Sequence, residues 1–209
     1  SGANELSRVH RQMVEIAGEV ASSMPVPRLF LVAPDALSAD QLLSCAEAAC
    51  GAGDAASIVI PPGIGSATVA RLQNLGLAVL SLDAANSACD GVHLDAANAD
   101  VAKARARAGK GGIVGAYCAA SRHTAMQAAE DGADYIALSQ NAYAPNEPII
   151  GWWADLFEIP CVAFDPVEPQ DLDILLPQKP DFIRPGDAMW ASPEEARRIV
   201  AELTRRMNG

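Results

Sequence analysis

In "CDGVHLDAANAD", Cys89 to Asp100, a histidine and an aspartate stand two residues apart at the end of a short apolar run. On a β-strand that spacing puts His93 and Asp95 on one face with Gly91, opposite Val92 and Leu94. Three readings fit the pair. Asp95 orients His93 for acid/base work by a side chain that titrates near neutrality. Alternatively, His93 or Asp95 joins Asp35, Asp83 or Asp165 around a divalent cation held mainly by oxygen ligands. In the third, the two belong to a polar network that satisfies itself and does no chemistry.

The elements that must position them are legible as eight β-branched runs between alanine-rich helical stretches. They are "RLFLVAPD" (28–35), "SIVIPP" (57–62), "LAVLSLD" (77–83), "DGVHLD" (90–95), "GIVGAY" (112–117), "DYIALSQ" (134–140), "CVAFDP" (161–166) and "DFIRPGD" (181–187). Continuous apolar runs mark strands buried on both faces, and alternation with helices means parallel strands joined by right-handed crossovers. Ser38 and Ser192 open capping boxes, the second followed by Pro193; Ser121 caps a helix that Gly132 ends. The pattern predicts a (β/α)8 TIM barrel over residues 25–209. A doubly wound open sheet is the alternative, but "APDALSAD" stands where its glycine fingerprint belongs. Between strands three and four, "AANSAC" (84–89) is too short for a crossover helix. Residues 1–24 read as a helical extension, amphipathic over 4–22 with Leu6, Val9, Met13, Ile16 and Val20 on one face.

In such a barrel chemistry belongs at the C-terminal strand ends. Those carry Asp35, Asp83, His93, Asp95, Ser139, Gln140, Asp165, Arg184 and Asp187, an acidic set. Ser139 and Gln140 are candidates for substrate contact. An anion cradle needs free N–H groups, and "PPGIGS" offers Gly63, Gly65 and Ser66, although an ordinary strand-to-helix turn explains it equally well. "RPGD" offers Arg184 and Gly186, whereas Asp165-Pro166 repels phosphate and removes a donor after strand seven. The three lysines, Lys103, Lys110 and Lys179, fall in a helix or ahead of strands, so neither Schiff-base chemistry nor a lysine phosphate clamp is expected.

The net charge of −11 argues against nucleic-acid and anionic-membrane surfaces. No apolar stretch approaches the roughly 20 residues of a membrane span, and the N-terminal residues lack signal-peptide order. Five cysteines without a C-x-x-C pair imply reduced thiols in a cytoplasmic protein. The partner expected is a small molecule, with a homodimer left open.

At "DGVHL" (90–94), "VAKARA" (101–106), "GADYIAL" (132–138) and "IPCVAF" (159–164) the chain resembles the thiamine phosphate synthase family and its thiazole tautomerase relatives, which are small (β/α)8 barrels. The resemblance implies a transferase joining a pyrimidine pyrophosphate to a thiazole phosphate, with magnesium holding the pyrophosphate. It places Asp83 and Asn98 at the metal positions, Asn98 standing where the family has a carboxylate. The basic segment after strand two is replaced by "IVIPPGIG", and the Gly-Gln pair after strand four by Asp95-Ala96. The threonine-rich loop after strand six is replaced by "SQNAYAPNEP", and the paired glycines after strand seven by Asp165-Pro166. In "YCAASRHT" the alignment leaves His123 on a helix surface, away from the place of the tautomerase histidine. Losing basic groups and donors weakens any polyanion site. The expectation is a thiamine phosphate synthase-like protein with synthase activity diminished or lost. The alternative is a barrel repurposed for another small ligand, as an isomerase or lyase using His93 and an aspartate, or as a non-catalytic binding or assembly protein.

Overall fold

Each short β-branched run pairs with the next, and the last pairs with the first. The computed structural model describes residues 26–83, 86–142 and 147–209. Its strands are β1 (Arg28–Val32), β2 (Ala55–Ile60), β3 (Ala78–Ser81), β4 (Gly91–Asp95), β5 (Ile113–Tyr117), β6 (Tyr135–Leu138), β7 (Cys161–Val167) and β8 (Phe182–Pro185). They form one closed barrel in chain order, every pairing parallel. The helices are α1 (Ala39–Ala52), α2 (Ser66–Asn74), α3 (Val101–Ala108), α4 (Arg122–Glu130), α5 (Ile149–Leu156), α6 (Leu172–Leu175) and α7 (Pro193–Met207). The barrel expectation holds. The N-terminal helix expected over 4–22 lies outside the described residues.

The β3–β4 connection departs from the repeat as its length requires. Its described residues make turns, Asn86 N–H to Asp83 C=O at 3.2 Å and Cys89 N–H to Asn86 C=O at 3.3 Å, and no helix.

Period-two alternation separates two cores. Phe30, Val59, Leu80, Tyr135, Ala137 and Val162 fill the barrel interior. Their strand neighbours Leu29, Leu31, Ile58, Val79, Ile136 and Ile183 face the helices. Trp153 of α5 is fully buried in this outer core, donating from Nε1 to the Ile159 carbonyl at 2.8 Å and stacking on Phe157. It is a packing residue, as its helical setting suggests.

Three of the aspartates sit at the opposite end of the barrel from the mouth. Asp90, Asp134 and Asp181 each immediately precede an even-numbered strand or stand one residue before it. Each donates its own N–H to a carbonyl of the preceding strand and accepts that same residue's N–H on its carboxylate. The partners are Val79, Val114 and Cys161, and the carboxylate bonds are 2.8, 2.8 and 2.9 Å. These clamps fix strand register. Arg105 of α3 ties into one of them, reaching Asp134 and the carbonyls of Gly132, Gly109 and Gly112. The segments "VAKARA" and "GADYIAL" are therefore scaffold.

The serine caps form as their spacing predicts. Ser38, Ser121 and Ser192 accept the N–H of Gln41, Thr124 and Glu195 at 3.2, 3.1 and 3.1 Å. Replacing Ser192 by alanine is expected to cost about 1 kcal/mol, or about 2–4 °C in Tm, with Ser192→Asp retaining most of the stability. Thermal unfolding of the two variants checks this.

Candidate functional site

His93, Gly115 and Tyr135 lie side by side on β4, β5 and β6, at one level of the barrel. Because Gly115 has no side chain, the Tyr135 ring crosses β5 and reaches the histidine. Its Oη stands 2.6 Å from His93 Nδ1. The imidazole lies near-parallel to Phe164, with centroids 5.1 Å apart at 18°, and Phe30 closes the interior at 5.9 Å. His93 is only 6% exposed. Burial and the nearby Arg184 guanidinium push its pKa down from 6.5 to about 4, against a weaker opposing pull from Asp95. At neutral pH it is an uncharged imidazole. A base that weak is poorly matched to proton transfer near pH 7. Burial raises the Tyr135 phenol well above its usual range, so it keeps its proton.

Asp95 is not brought to His93. Its Oδ1 accepts the Ala97 N–H at 3.1 Å and its Oδ2 accepts Asn98 Nδ2 at 2.9 Å, a local turn that holds the carboxylate over its own loop. The sequence expectation that Asp95 orients the ring is replaced by orientation from Tyr135. The geometric reason is that the strand ends at Asp95 and the chain turns there.

The ends of β6 and β7 are joined to each other. Ser139 is buried and donates to Asp165 Oδ2 at 2.8 Å, which also accepts the Asn141 N–H at 2.9 Å. Gln140 donates to the Asp165 carbonyl at 3.0 Å and accepts the Asp165 N–H at 3.1 Å. Ser139 and Gln140 thus hold Asp165 in place at the rim. Tyr117, beside Phe164 at 4.9 Å, has its phenol raised first by burial and then by Asp165.

Arg184 lies over the Phe164 ring at 4.8 Å, donating to the Phe164 carbonyl at 3.3 Å and to Asp187 at 3.2 Å. Gly186 gives its N–H to the Val167 carbonyl at 3.1 Å. A Cβ on Gly186 would lie 2.5 Å from Glu168 Oε1, so a carboxylate rests against this glycine. Of the two residues expected to cradle an anion after β8, Gly186 is engaged and flanked by Glu168, whereas Arg184 is engaged through its two terminal nitrogens and keeps a buried Nε without a hydrogen-bond partner.

Gly63 and Gly65 lie in the turn entering α2. Gly63 has φ +87°, the left-handed geometry of a Pro-Gly turn, and a Cβ on Gly65 would meet nothing within 4 Å. Gly65 is the cap residue and Ser66 the first of the helix, with no side-chain cap. This is the ordinary strand-to-helix turn. His123 is exposed on α4, as expected.

A magnesium ion would need clustered oxygen donors after β3 and β4. Asp83 is exposed there, its N–H bonded to the Ser81 hydroxyl at 2.9 Å. Asn98 turns its amide donor toward Asp95, where a shared cation would require two acceptors. Among the described residues, no three His, Cys, Asp or Glu side chains gather closely enough to hold a metal. The residues do not fit the ion.

Sequence reasoning missed Tyr135, Phe164 and Tyr117 as the surroundings of His93. The signal was available in the strand parity that also turned His93 inward. Its weakness is that aromatic residues inside a barrel ordinarily serve packing alone.

A family model described as thiamine monophosphate synthase matches residues 81–183. The thiamine-phosphate synthase of Rhodospirillum centenum is 31% identical over 205 residues, covering 87% of this chain and 98% of that protein. That of Hyphomonas neptunium is 30% identical over 198 residues, covering 82% and 90%. Among solved structures, a thiamine phosphate pyrophosphorylase from Pyrococcus furiosus superposes with a TM-score of 0.68 at 17% identity, covering 86% of this chain and 95% of that one. A geranylgeranylglyceryl phosphate synthase from Thermoplasma acidophilum, in complex with sn-glycerol-1-phosphate, follows at 0.65 and 14%, covering 90% and 95%. At those identities the structural likeness shows the barrel alone.

Proposed function

The chain belongs to the thiamine phosphate synthase family, and from that premise we propose that it no longer performs the synthase reaction and holds a small ligand of low charge at its barrel mouth. One observation carries this reading. Asp95 and Asn98 are bonded directly to each other, at 2.9 Å, where the family's chemistry calls for a carboxylate free to bind magnesium. The mouth supports the same conclusion by its charge. Asp95, Asp165, Glu168 and Asp187 share the mouth with one arginine whose terminal nitrogens are bonded within the protein, an excess of acid that disfavours a polyanion.

Binding is favoured over acid/base catalysis because His93 is neutral and Asp95 does not reach it. A cytoplasmic location is part of the proposal, supported by five free cysteines. Burial pushes two of them, Cys118 and Cys161, up to about 12, which makes them poor nucleophiles at neutral pH.

The test is an assay with the pyrimidine pyrophosphate, the thiazole phosphate and magnesium. Thiamine phosphate is expected to form no faster than in a control without protein. Turnover on the order of 1 s⁻¹ or above, ordinary for an enzyme, overturns the reading.

A further inference from the structure

We propose that Tyr135 is a positioning residue: its hydroxyl donates to His93 Nδ1, places the imidazole proton on Nε2, and so presents one neutral N–H donor at the mouth to a ligand carrying a lone pair, such as a ring nitrogen. This inference rests on the mouth being a ligand site, and it names the chemistry that the site selects.

The geometry carries the tautomer. Tyr135 Oη and His93 Nδ1 are 2.6 Å apart, close enough for only one proton between them. A phenol is the stronger acid of the two partners, and burial keeps it protonated, so the proton belongs to the oxygen. Nδ1 then accepts, and the neutral ring carries its hydrogen on Nε2. The opposite arrangement would leave a buried phenolic hydrogen without an acceptor, because Tyr135 makes no second hydrogen bond among the described residues.

The same contacts leave Nε2 for a ligand. His93 is only 6% exposed and its hydrogen bond to Tyr135 uses Nδ1, while Nε2 is not among the buried atoms left without a partner. The ring cannot rotate to satisfy it internally, being fixed by Tyr135 on one edge and by Phe164 on its face. The groups facing it are Arg184 above Phe164 and Asp95 at the end of its strand. Of these two charges Arg184 acts more strongly on the imidazole than Asp95. A ligand atom with a lone pair is what a single N–H donor there requires.

The test uses the full chain labelled with ¹⁵N and long-range ¹H–¹⁵N spectra of the imidazole at pH 7. Wild type is expected to give the pattern of a protonated Nε2 and a bare Nδ1. Tyr135→Phe, which removes one oxygen and keeps the ring, is expected to lose that fixed pattern and give a mixture of tautomers. Millimolar pyridine is expected to shift the Nε2–H signal of wild type. The cation N-methylpyridinium, alike in shape but without the lone pair, is expected not to, and Tyr135→Phe is expected to weaken pyridine binding about fivefold.

A protonated Nδ1 in wild type overturns the proposal whatever becomes of the variant. An unchanged pattern in Tyr135→Phe overturns it too, as does an Nε2 signal that ignores pyridine. None of these outcomes bears on the synthase assay, so failure here and failure of the parent reading are told apart.

Discussion

Replacing Gly115 by alanine is expected to destabilise the barrel by about 3 kcal/mol, lowering Tm by about 6–12 °C, although the change adds a single methyl group. A Cβ at this position would lie 1.8 Å from Tyr135 Cζ and 2.2 Å from its hydroxyl oxygen. Neither side can give way cheaply. Gly115 is paired to β4 on one flank and β6 on the other, and Tyr135 is buried against Phe30 and bonded to His93. Tyr135→Leu removes the obstructing ring at its own cost in packing. The double variant Gly115→Ala/Tyr135→Leu should therefore lose less than the sum of its parts, by about 1–3 kcal/mol of coupling. Urea unfolding of the four proteins measures the cycle. If Gly115→Ala unfolds within 1 kcal/mol of wild type, the Tyr135 ring does not cross β5 as described. Gly91 is constrained in the same manner, since a Cβ there would lie 2.1 Å from the Ile113 carbonyl oxygen.

What was legible in the sequence follows from the range of the interactions concerned. Strands and caps are local: the run "DYIAL" and the serine before "PEEA" need only their neighbours to declare themselves. That the described residues after β3 make turns rather than a helix was legible too, because six residues cannot make a parallel crossover with a helix. The burial of His93 followed from strand parity. Its partner did not, since Tyr135 is 42 residues away and reaches it only across a glycine on the strand between. Asp95 shows the opposite case. Its turn onto Ala97 and Asn98 is a local Asx arrangement, legible in "DAAN", and it competes with the histidine–aspartate pair that the same spacing suggests. The acids were misleading in aggregate. Asp90, Asp134 and Asp181 cannot be told by residue type from Asp95 or Asp165; only the strand end at which each sits separates register clamps from the mouth.

His93 makes the pH dependence of stability a direct test of its environment. In the unfolded chain the imidazole takes up a proton below about 6.5, whereas in the folded barrel it resists until about 4. Between those values the unfolded state holds more protons, so stability falls as pH falls through this window and receives no further loss from this group below it. The shift corresponds to about 3 kcal/mol. His93→Gln removes the titration while leaving a side chain able to accept from Tyr135. The variant's absolute stability is not the readout, since a cavity and altered stacking on Phe164 change it at every pH. The readout is the difference between the two proteins from pH 7 to pH 4, in which the carboxylate contributions common to both cancel. Wild type is expected to lose about 3 kcal/mol more than His93→Gln across that range. Parallel curves would mean that the imidazole titrates freely, with water or a carboxylate at hand that the Phe30, Tyr135 and Phe164 enclosure excludes. A neutral His93 at physiological pH is also what separates a hydrogen-bonding site from a proton-transfer site on this barrel. The same titration, followed on the imidazole signals, therefore bears on function as well as on stability.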